Sequence, residues 1–445
     1  MDEQDSIPTQ ASDDTSSRRT FLKGAAATGL AVAAATSLPA RIVQAASTQN
    51  LAYWNLFGGG DGVRMVQMEA DFAKANPSIQ VKATTLAWGL PYYTKLTTST
   101  VAGKAPDIGI LHMTRLPAYA PSGLLTPLDA GVLAKHGISA DKFLPTIWSR
   151  GQYQGKTYAI PLDTHPMVMY YNVDICKKAG LLDASGKLKP LVGPAAVLNA
   201  FKAAQKVTGK YGLALDSADV MPWRIFSAFY AQLGGQIVSA DGKGVTLDTA
   251  KATKVLQFMA ELTSSKVAPS NAAYADSVAL FSSGKAAFML NGEWEVTTFQ
   301  SAKMNFDMTL FPNVFGSLAT QGDSHSFVVP HQRNMSSDRL DAILTFIGFM
   351  LKDSAVWAQG GHIPAYLPVA ASSAYKSLVP QSHYASAAQY VTYDPNAWWS
   401  GAASQMETDA GSYFQAVFLG KSSPAQAASQ FHADLQKLIN TPQPS

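Results

Sequence analysis

Residues 51–83 read LAYWNLFGGGDGVRMVQMEADFAKANPSIQVKA, and this stretch decides the fold. It opens with a short apolar run at 51–54, after which apolar side chains recur at helical spacing over 63–73. Asn76-Pro77 ends that helix, and residues 79–83 alternate between apolar and polar side chains as a strand does. The stretch therefore predicts a strand, an amphipathic helix and a second strand.

The same alternation continues along the chain, with a second helix over 91–103 and a third strand over 107–111. Strands and helices in the order βαβαβ predict an α/β fold whose parallel sheet is covered on both faces. Ligands of such open sheets bind beyond the carboxyl ends of the strands. We therefore expect the functional residues of this region within 55–62, 86–90 and 112–115.

The remaining chain predicts a second α/β unit. Helical periodicity recurs near residues 197–201, 255–262 and 340–351, and a terminal helix is predicted over 424–439. The tetrapeptide Asp-Gly-Lys-Gly at 241–244 separates two short apolar runs and predicts a β-hairpin. A length of 445 residues exceeds what one hydrophobic core usually serves, so two domains of similar size are expected.

Composition excludes several classes of protein. Apolar residues make up 47% of the chain and charged residues 15%, a balance typical of folded rather than disordered chains. The 34 basic and 31 acidic residues give a net charge of +3 without a basic stripe, so nucleic acid is not expected as a partner. The single cysteine, Cys176, excludes an internal disulfide and any site built from several cysteines.

The N-terminal segment resembles a twin-arginine export signal. Arg18 and Arg19 precede Phe-Leu-Lys, and an uncharged, alanine-rich run of 14 residues follows over 25–38. That run is shorter than the roughly 20 residues a membrane-spanning helix needs. We expect cleavage after Ala45, which removes residues 1–45 and releases the mature chain into the periplasm or outside the cell.

Several motifs, in order along the mature chain, resemble the extracellular solute-binding proteins of ABC importers, specifically the carbohydrate-binding group that includes maltose-binding protein. The motifs are Tyr53-Trp54-Asn55, Gly103-Lys104-Ala105-Pro106-Asp107-Ile108, Ile160-Pro161-Leu162-Asp163, the segment from Tyr170-Tyr171-Asn172 to Leu181, and Asn291-Gly292-Glu293-Trp294. Each motif is weak by itself, and the ordered set carries the resemblance.

The resemblance implies a periplasmic-binding-protein-like fold, with two lobes, a hinge and a ligand cleft between the lobes. Chain crossings are expected near Asp163, His325 and Ile363. One lobe would then comprise 46–162 and 325–362, and the other 163–324 and 363–445. The implied function is capture of a mono- or oligosaccharide and its delivery to the transmembrane subunits of an ABC permease, by a monomer without a cofactor.

Sugar recognition requires flat aromatic surfaces for the pyranose faces and planar polar side chains for the hydroxyl groups. Trp294 matches the family position that stacks on the ligand, and the hinge crossing near Asp163 faces the cleft. The candidate ligand-binding residues are Asn55, Phe57, Asp61, Trp88, His112, Arg115, Asp163, His165, Trp223, Trp294, Trp398 and Trp399.

Other functions stay open at this point. A glycosidase would need two carboxylates about 5–10 Å apart, for which Asp163 and Glu293 are conceivable partners. A binding protein for a polyol or a polyamine would share the same fold. One cysteine and eight scattered histidines predict neither a metal site nor a redox centre. The adjacent Tyr170-Tyr171, which resembles an iron-capturing pair, is expected to be structural, and no catalytic residue is predicted.

Overall fold

The structure is a computed structural model and describes residues 48–443. The export signal predicted for residues 1–45 lies outside these residues. In chain order the strands are β1 (Gln49–Asn55), β2 (Ile79–Thr85), β3 (Ile108–His112), β4 (Gln152–Tyr153), β5 (Lys156–Thr157), β6 (Ala159–Pro161), β7 (Asp163–Asn172), β8 (Leu213–Ala214), β9 (Phe288–Gly292), β10 (Phe306–Leu310), β11 (Thr320–Asp323), β12 (His325–Val328), β13 (Ile363–Pro364) and β14 (Val391–Thr392).

The helices lie between and after these strands. In chain order they are α1 (Gly59–Ala75), α2 (Leu90–Val101), α3 (Leu116–Tyr119), α4 (Ala130–Lys135), α5 (Pro145–Arg150), α6 (Val173–Lys178), α7 (Pro194–Thr208), α8 (Met221–Gln232), α9 (Thr249–Ser264), α10 (Tyr274–Ser282), α11 (Val296–Ser301), α12 (Ser337–Lys352), α13 (Ser354–Ala358), α14 (Leu367–Ala370), α15 (Ser373–Lys376), α16 (Gln381–Tyr384), α17 (Gln405–Phe418) and α18 (Pro424–Asn440). Short 3₁₀ turns, among them Glu293–Glu295, connect some of them.

The first sheet has the strand order β2-β1-β3-β12-β6. Strand β1 pairs in parallel with β2 from Gln49↔Ile79 to Asn55↔Thr85, and in parallel with β3 on its other side. Helices α1 and α2 connect these three strands, so the predicted βαβαβ unit is confirmed. Strands β12 and β6 extend the sheet in the antiparallel sense.

The second sheet has the order β14-β11-β7-β9-β8, and β10 and β13 also pair with β7. Successive side chains of a strand point to opposite faces, and β7 uses both faces for burial. Val168 and Tyr170 pack in one apolar core, whereas Met169 and Tyr171 pack in another. The second sheet is therefore covered on both sides, as an α/β fold requires.

The chain passes between the two sheets near Asp163, His325 and Ile363. One residue, Leu162, separates the end of β6 in the first sheet from the start of β7 at Asp163. One residue, Ser324, separates the end of β11 in the second sheet from the start of β12 at His325. Helix α12 packs against the first sheet, and the next strand in the chain, β13, begins at Ile363 and pairs with β7 of the second sheet. The division of the chain into two lobes with the stated boundaries stays a prediction.

The first sheet has its own apolar core, which α12 closes. Arg339 at the start of α12 donates from Nε (2.6 Å) and Nη2 (2.8 Å) to the two carboxylate oxygens of Asp107. Asp107 also accepts from the backbone nitrogen of Ala52 in β1. Three side chains beyond the predicted third boundary, Ala365, Tyr366 and Val369, pack in this core as well.

Two further observations concern local structure. The hairpin predicted around residues 241–244 is reduced to one antiparallel bridge between Val238 and Val245. Across residues 48–443, no helix combines the length and the apolar character needed to cross a membrane.

Candidate ligand-binding site

A cavity of about 440 Å³ opens beyond the carboxyl ends of the parallel strands of the first sheet. The residues that follow β1 line it, together with Trp88 after β2 and His112 at the end of β3. The opposite wall comes from segments that surround the second sheet. That wall is formed by His165, Asp216, Asp219, Val220, Met221, Arg224, Tyr274, Trp294, Glu295 and Thr298. The cavity therefore lies between the two sheets, where the βαβαβ topology predicts ligand binding.

Two tryptophans border the cavity from different sides. Trp88 is 41% exposed, and its indole is thus available to a bound molecule. Trp294 is held in place, because its Nε1–H donates to the hydroxyl of Tyr274 over 2.6 Å. The guanidinium carbon of Arg224 lies 5.4 Å from the ring centroid of Trp88 and 5.8 Å from that of Trp294. Both indoles therefore contact the same cation at the cavity wall.

The position of the Trp294 ring explains the glycine of the Asn-Gly-x-Trp motif. The indole packs directly over Gly292, so a Cβ atom at that position would overlap the ring. Glycine is the residue that permits so close an approach. Gly292 of the motif and Tyr274 together therefore fix the Trp294 ring in one wall of the cavity.

Three histidines from distant parts of the sequence, His112, His165 and His325, form the floor of the cavity, and His362 lies directly behind them. The ring centroids of His165 and His325 are 4.2 Å apart, those of His112 and His325 are 4.8 Å apart, and those of His325 and His362 are 5.4 Å apart. The sequence predicts scattered histidines without a cluster, and that expectation is wrong for these four. Residues far apart in sequence meet here because three of the segments are chain crossings between the sheets.

Asp163 lies behind this floor and organises it. Its Oδ1 accepts from Nδ1 of His165 (3.0 Å) and from the backbone nitrogen of His325 (2.8 Å). Its Oδ2 accepts from Nδ1 of His325 (2.8 Å) and from Nε1 of Trp357 (2.7 Å). Burial by itself would raise the pKa of Asp163, but the facing imidazoles of His325, His165 and His362 hold it well below its ordinary value. Asp163 is therefore an ionised acceptor.

This network fixes the protonation of the rings that face the cavity. An ionised carboxylate only accepts hydrogen bonds, so the Nδ1 atoms of His165 and His325 carry protons. Burial lowers the pKa of His165 to about 3, which makes the ring neutral. Its Nε2, on the side of the ring away from Asp163, is then a hydrogen-bond acceptor. Burial likewise lowers the pKa of His112, whose Nδ1 contacts the hydroxyl of Tyr93 at 2.6 Å.

His362 is positively charged, whereas His165 is neutral. Burial would lower its pKa, but the carboxylates of Asp61 and Asp163 raise it well above the ordinary value. Its Nε2 lies 2.8 Å from Oδ1 of Asp61, and its Nδ1 lies 3.2 Å from an oxygen of Asp163 and 3.2 Å from an oxygen of Glu293. Burial also raises the pKa of Glu293 to about 8. His362 thus links the cavity wall at Asp61 to the buried carboxylates behind the floor.

Six of the predicted ligand-binding residues line the cavity, and Asp163 lies directly behind it. The six are Phe57, Asp61, Trp88, His112, His165 and Trp294. They come from five separate segments of sequence, and the predicted strand ends supply most of them.

The other five predicted residues lie outside this cavity. Asn55 accepts from the backbone nitrogen of Phe57 and from the hydroxyl of Thr85, and so shapes the loop after β1. The guanidinium carbon of Arg115 lies 4.9 Å from the ring centroid of Tyr93. The three tryptophans are elsewhere: Trp223 is buried and donates to Asp394, whereas Trp398 and Trp399 border a different depression.

Sequence reasoning missed several polar residues of the second wall. Arg224 lies in the first turn of α8, and Asp216 lies in the segment before this helix. Tyr274 begins α10, and Glu295 ends the turn that carries Trp294. The proline at the start of α8 signals a helix N-terminus. No spacing in the sequence indicates that these residues face Trp88.

Comparisons with known proteins agree with this architecture. The family model described as bacterial extracellular solute-binding protein matches residues 67–387. A binding protein of Brucella abortus (strain 2308) is 23% identical over 334 residues, which cover 72% of this chain and 79% of the relative. The maltotriose-binding protein of Pyrococcus abyssi is 25% identical over 217 residues, which cover 48% of this chain and 43% of the relative.

Solved structures share the fold at low sequence identity. The GacH receptor of Streptomyces glaucescens, solved without ligand and in complex with acarbose, superposes with a TM-score of 0.77 at 21% identity, covering 88% of this chain and 98% of that chain. Maltose-bound MalE3 of T. maritima has a TM-score of 0.76 at 18% identity, covering 87% and 99%. The predicted periplasmic-binding-protein-like α/β fold is thereby confirmed.

Proposed function

The chain belongs to the bacterial extracellular solute-binding protein family, and we propose that it is the binding component of an ABC importer that captures a mono- or oligosaccharide in the cavity between the two sheets. The observation that carries this proposal is the pair of indoles, Trp88 and Trp294, at the border of a cavity with a polar floor. Pyranose rings present apolar C–H faces, which suit the indoles, and a rim of hydroxyl groups, which suits the polar floor.

The floor and walls supply partners for hydroxyl groups. The Nε2 of His165 is an acceptor, Arg224 is a donor, and Asp216 and Asp219 add carboxylate oxygens at the wall. A buried hydroxyl without a partner is costly, so a ligand rich in hydroxyl groups needs such a set. A cavity of about 440 Å³ has the size of a small-molecule site. Relatives named for maltotriose binding and solved with acarbose support the same ligand class.

The mechanism we propose is a shift between open and closed forms. The chain crossings near Asp163, His325 and Ile363 meet in one cluster of Asp163, His325 and His362, which is where a hinge between two lobes would lie. A sugar that contacts both walls favours closure by its higher affinity for the closed form. The closed form then docks on the transmembrane subunits of the permease. We propose that the chain acts as a monomer, exported by the twin-arginine pathway to the periplasm or the cell exterior.

We propose that the chain is not an enzyme. The carboxylates considered for a glycosidase, Asp163 and Glu293, are fully buried and both lie 3.2 Å from Nδ1 of His362. Neither carboxyl group lines the cavity, so neither reaches a glycosidic bond of a sugar bound there. The relatives named above are binding proteins, which supports the same conclusion.

A cationic solute, such as a polyamine, is the second candidate. In the part of the chain that the structure describes, four acidic side chains border the cavity against one guanidinium, that of Arg224. The four are Asp61, Asp216, Asp219 and Glu295. Indole faces also attract ammonium groups. This ligand class competes directly with a neutral sugar for the same cavity.

Isothermal titration of the purified chain against a panel of sugars, polyols and polyamines tests the proposal. We expect one sugar at least, with maltotriose and acarbose in the panel, to bind with a one-to-one stoichiometry and a Kd of about 1 μM or tighter. Heat of binding with spermidine and with no sugar would support the second candidate, a polyamine-binding protein. Release of a shorter sugar during incubation would refute the absence of catalysis, and silence across the whole panel would refute solute binding by this cavity.

A further inference from the structure

The histidine cluster contains four side chains with the arrangement of a metal site. Asp163, His165, His325 and His362 each offer one oxygen or nitrogen, and these four atoms all lie within 4.8 Å of one another. All four residues are buried. They come from β7, β12 and the segment before β13, so the fold rather than local sequence brings them together.

A second observation points to the same place. Glu293 is fully buried, and within residues 48–443 neither oxygen of its carboxyl group has a hydrogen-bond partner. Nδ1 of His362 likewise has none within these residues, although it lies 3.2 Å from Oε1 of Glu293. A buried carboxyl group without a partner is costly. These unsatisfied atoms lie at the edge of the four-residue cluster, where a bound cation would satisfy both.

The chemistry of these side chains selects the class of ion. Imidazole nitrogens with one carboxylate oxygen are typical ligands of zinc and neighbouring first-row transition metals, whereas magnesium and calcium prefer oxygen ligands alone. A tetrahedral zinc ion with bonds of about 2.0–2.1 Å needs ligand atoms about 3.3 Å apart. Nδ1 of His165 lies 3.0 Å from Oδ1 of Asp163, and the Nδ1 atoms of His325 and His362 lie 2.8 and 3.2 Å from Oδ2. A bound ion would displace the protons on these nitrogens, because a metal binds only a deprotonated imidazole nitrogen.

The cluster can also be reached by an ion. His165 and His325 line the cavity, whereas Asp163 and His362 lie behind them. An ion that enters through the cavity would therefore meet two imidazoles first and the carboxylate next. Asp61, hydrogen-bonded to Nε2 of His362, would orient that ring from its other side, as outer carboxylates orient metal-bound histidines.

We propose that Asp163, His165, His325 and His362 bind a divalent first-row transition-metal ion of the zinc type at the floor of the cavity, with the buried carboxyl group of Glu293 beside it. The site shares His165 with the proposed sugar-binding surface, whose other residues are the two indoles and the opposite wall. It ties together the three chain crossings. A bound ion would stabilise the folded chain, because the four ligands are not assembled in the unfolded state.

Zinc titration of the purified chain, after removal of metal with EDTA, tests this inference. We expect one ion bound per chain, a visible absorption spectrum of tetrahedral type when cobalt replaces zinc, and a rise in Tm with zinc. His362→Gln should weaken zinc binding by at least about 100-fold, because loss of a direct ligand costs more than the roughly 10–100-fold of losing an outer partner. His331→Gln, a substitution at an exposed histidine outside the cluster, should leave it unchanged.

The outcomes separate this inference from the proposed function. Absence of a one-to-one zinc site, an octahedral cobalt spectrum, or equal affinity in His362→Gln and the parent chain would each overturn it. The cobalt spectrum of the parent chain decides the matter even if the variant fails to fold. The sugar panel is titrated in EDTA, so sugar binding without zinc binding refutes the metal site alone. Zinc binding without sugar binding refutes the proposed function alone.

Discussion

Replacing Trp294 with alanine removes one of the two indole surfaces at the border of the cavity. The ring is fixed by its hydrogen bond to Tyr274 and by its contact with Gly292, so it presents a rigid face. A pyranose that covers about 60 Å² of this face gains about 1.5 kcal/mol at about 25 cal/mol per Å², which corresponds to roughly a tenfold change in Kd. We therefore expect Trp294→Ala to weaken sugar binding at least about tenfold.

Isothermal titration with the best sugar of the panel measures this change. Trp398→Ala is the matched control, because Trp398 is partly buried but borders a different depression. Its Kd should stay within about twofold of the parent value. Gly292→Ala is a second test, since its new methyl group displaces the indole without removing it and should weaken binding as well. An unchanged Kd in a correctly folded Trp294→Ala variant would refute the reasoning.

Three perturbations elsewhere in the chain have defined outcomes. Burial raises the pKa of Asp216 to about 7, so its contribution to stability is complete below about pH 4 and is lost as the pH rises through about 7. Asp216→Asn should therefore raise Tm at about pH 8 and have little effect on Tm at about pH 4. The control Glu261→Gln, at an exposed position, should leave Tm unchanged at both pH values. An equal change in the Tm of Asp216→Asn at the two pH values would contradict this prediction. Arg339→Ala leaves the buried carboxylate of Asp107 without its bidentate partner. The free energy of unfolding, measured in urea, should therefore fall by about 2 kcal/mol. An unchanged urea midpoint would contradict this prediction. Cys176 is fully buried and burial raises its pKa to about 12, so the native chain should resist a thiol reagent that labels the unfolded chain at once; equal labelling rates would show that the thiol is accessible.

Much of the first sheet is predictable from sequence because its signals are local. The apolar run at 51–54, the helical spacing after it and the break at Asn76-Pro77 each act within a few residues. They indicate β1, α1 and β2 with boundaries close to those of the structure. The carboxyl ends of these strands then follow from topology, and that is why Phe57, Asp61 and Trp88 were predicted on the cavity wall.

The second wall and the floor depend on long-range contacts. Arg224 meets Trp88 across the cavity although 136 positions separate them in the chain. His165, His325 and His362 converge through three crossings between the sheets, and their spacing in the sequence gives no such indication. Tryptophan itself is an ambiguous signal, because Trp223 is buried in a core whereas Trp294 faces the cavity. The identity of a residue does not by itself distinguish a buried tryptophan from one that faces a cavity.

The most direct test of the central claim is a crystal structure of the chain with the sugar that binds most tightly. We predict electron density for a pyranose between Trp88 and Trp294, with hydroxyl groups in hydrogen-bond contact with His165 and Arg224. A sugar bound at another surface, or in the cavity without contact to either indole, would contradict the account.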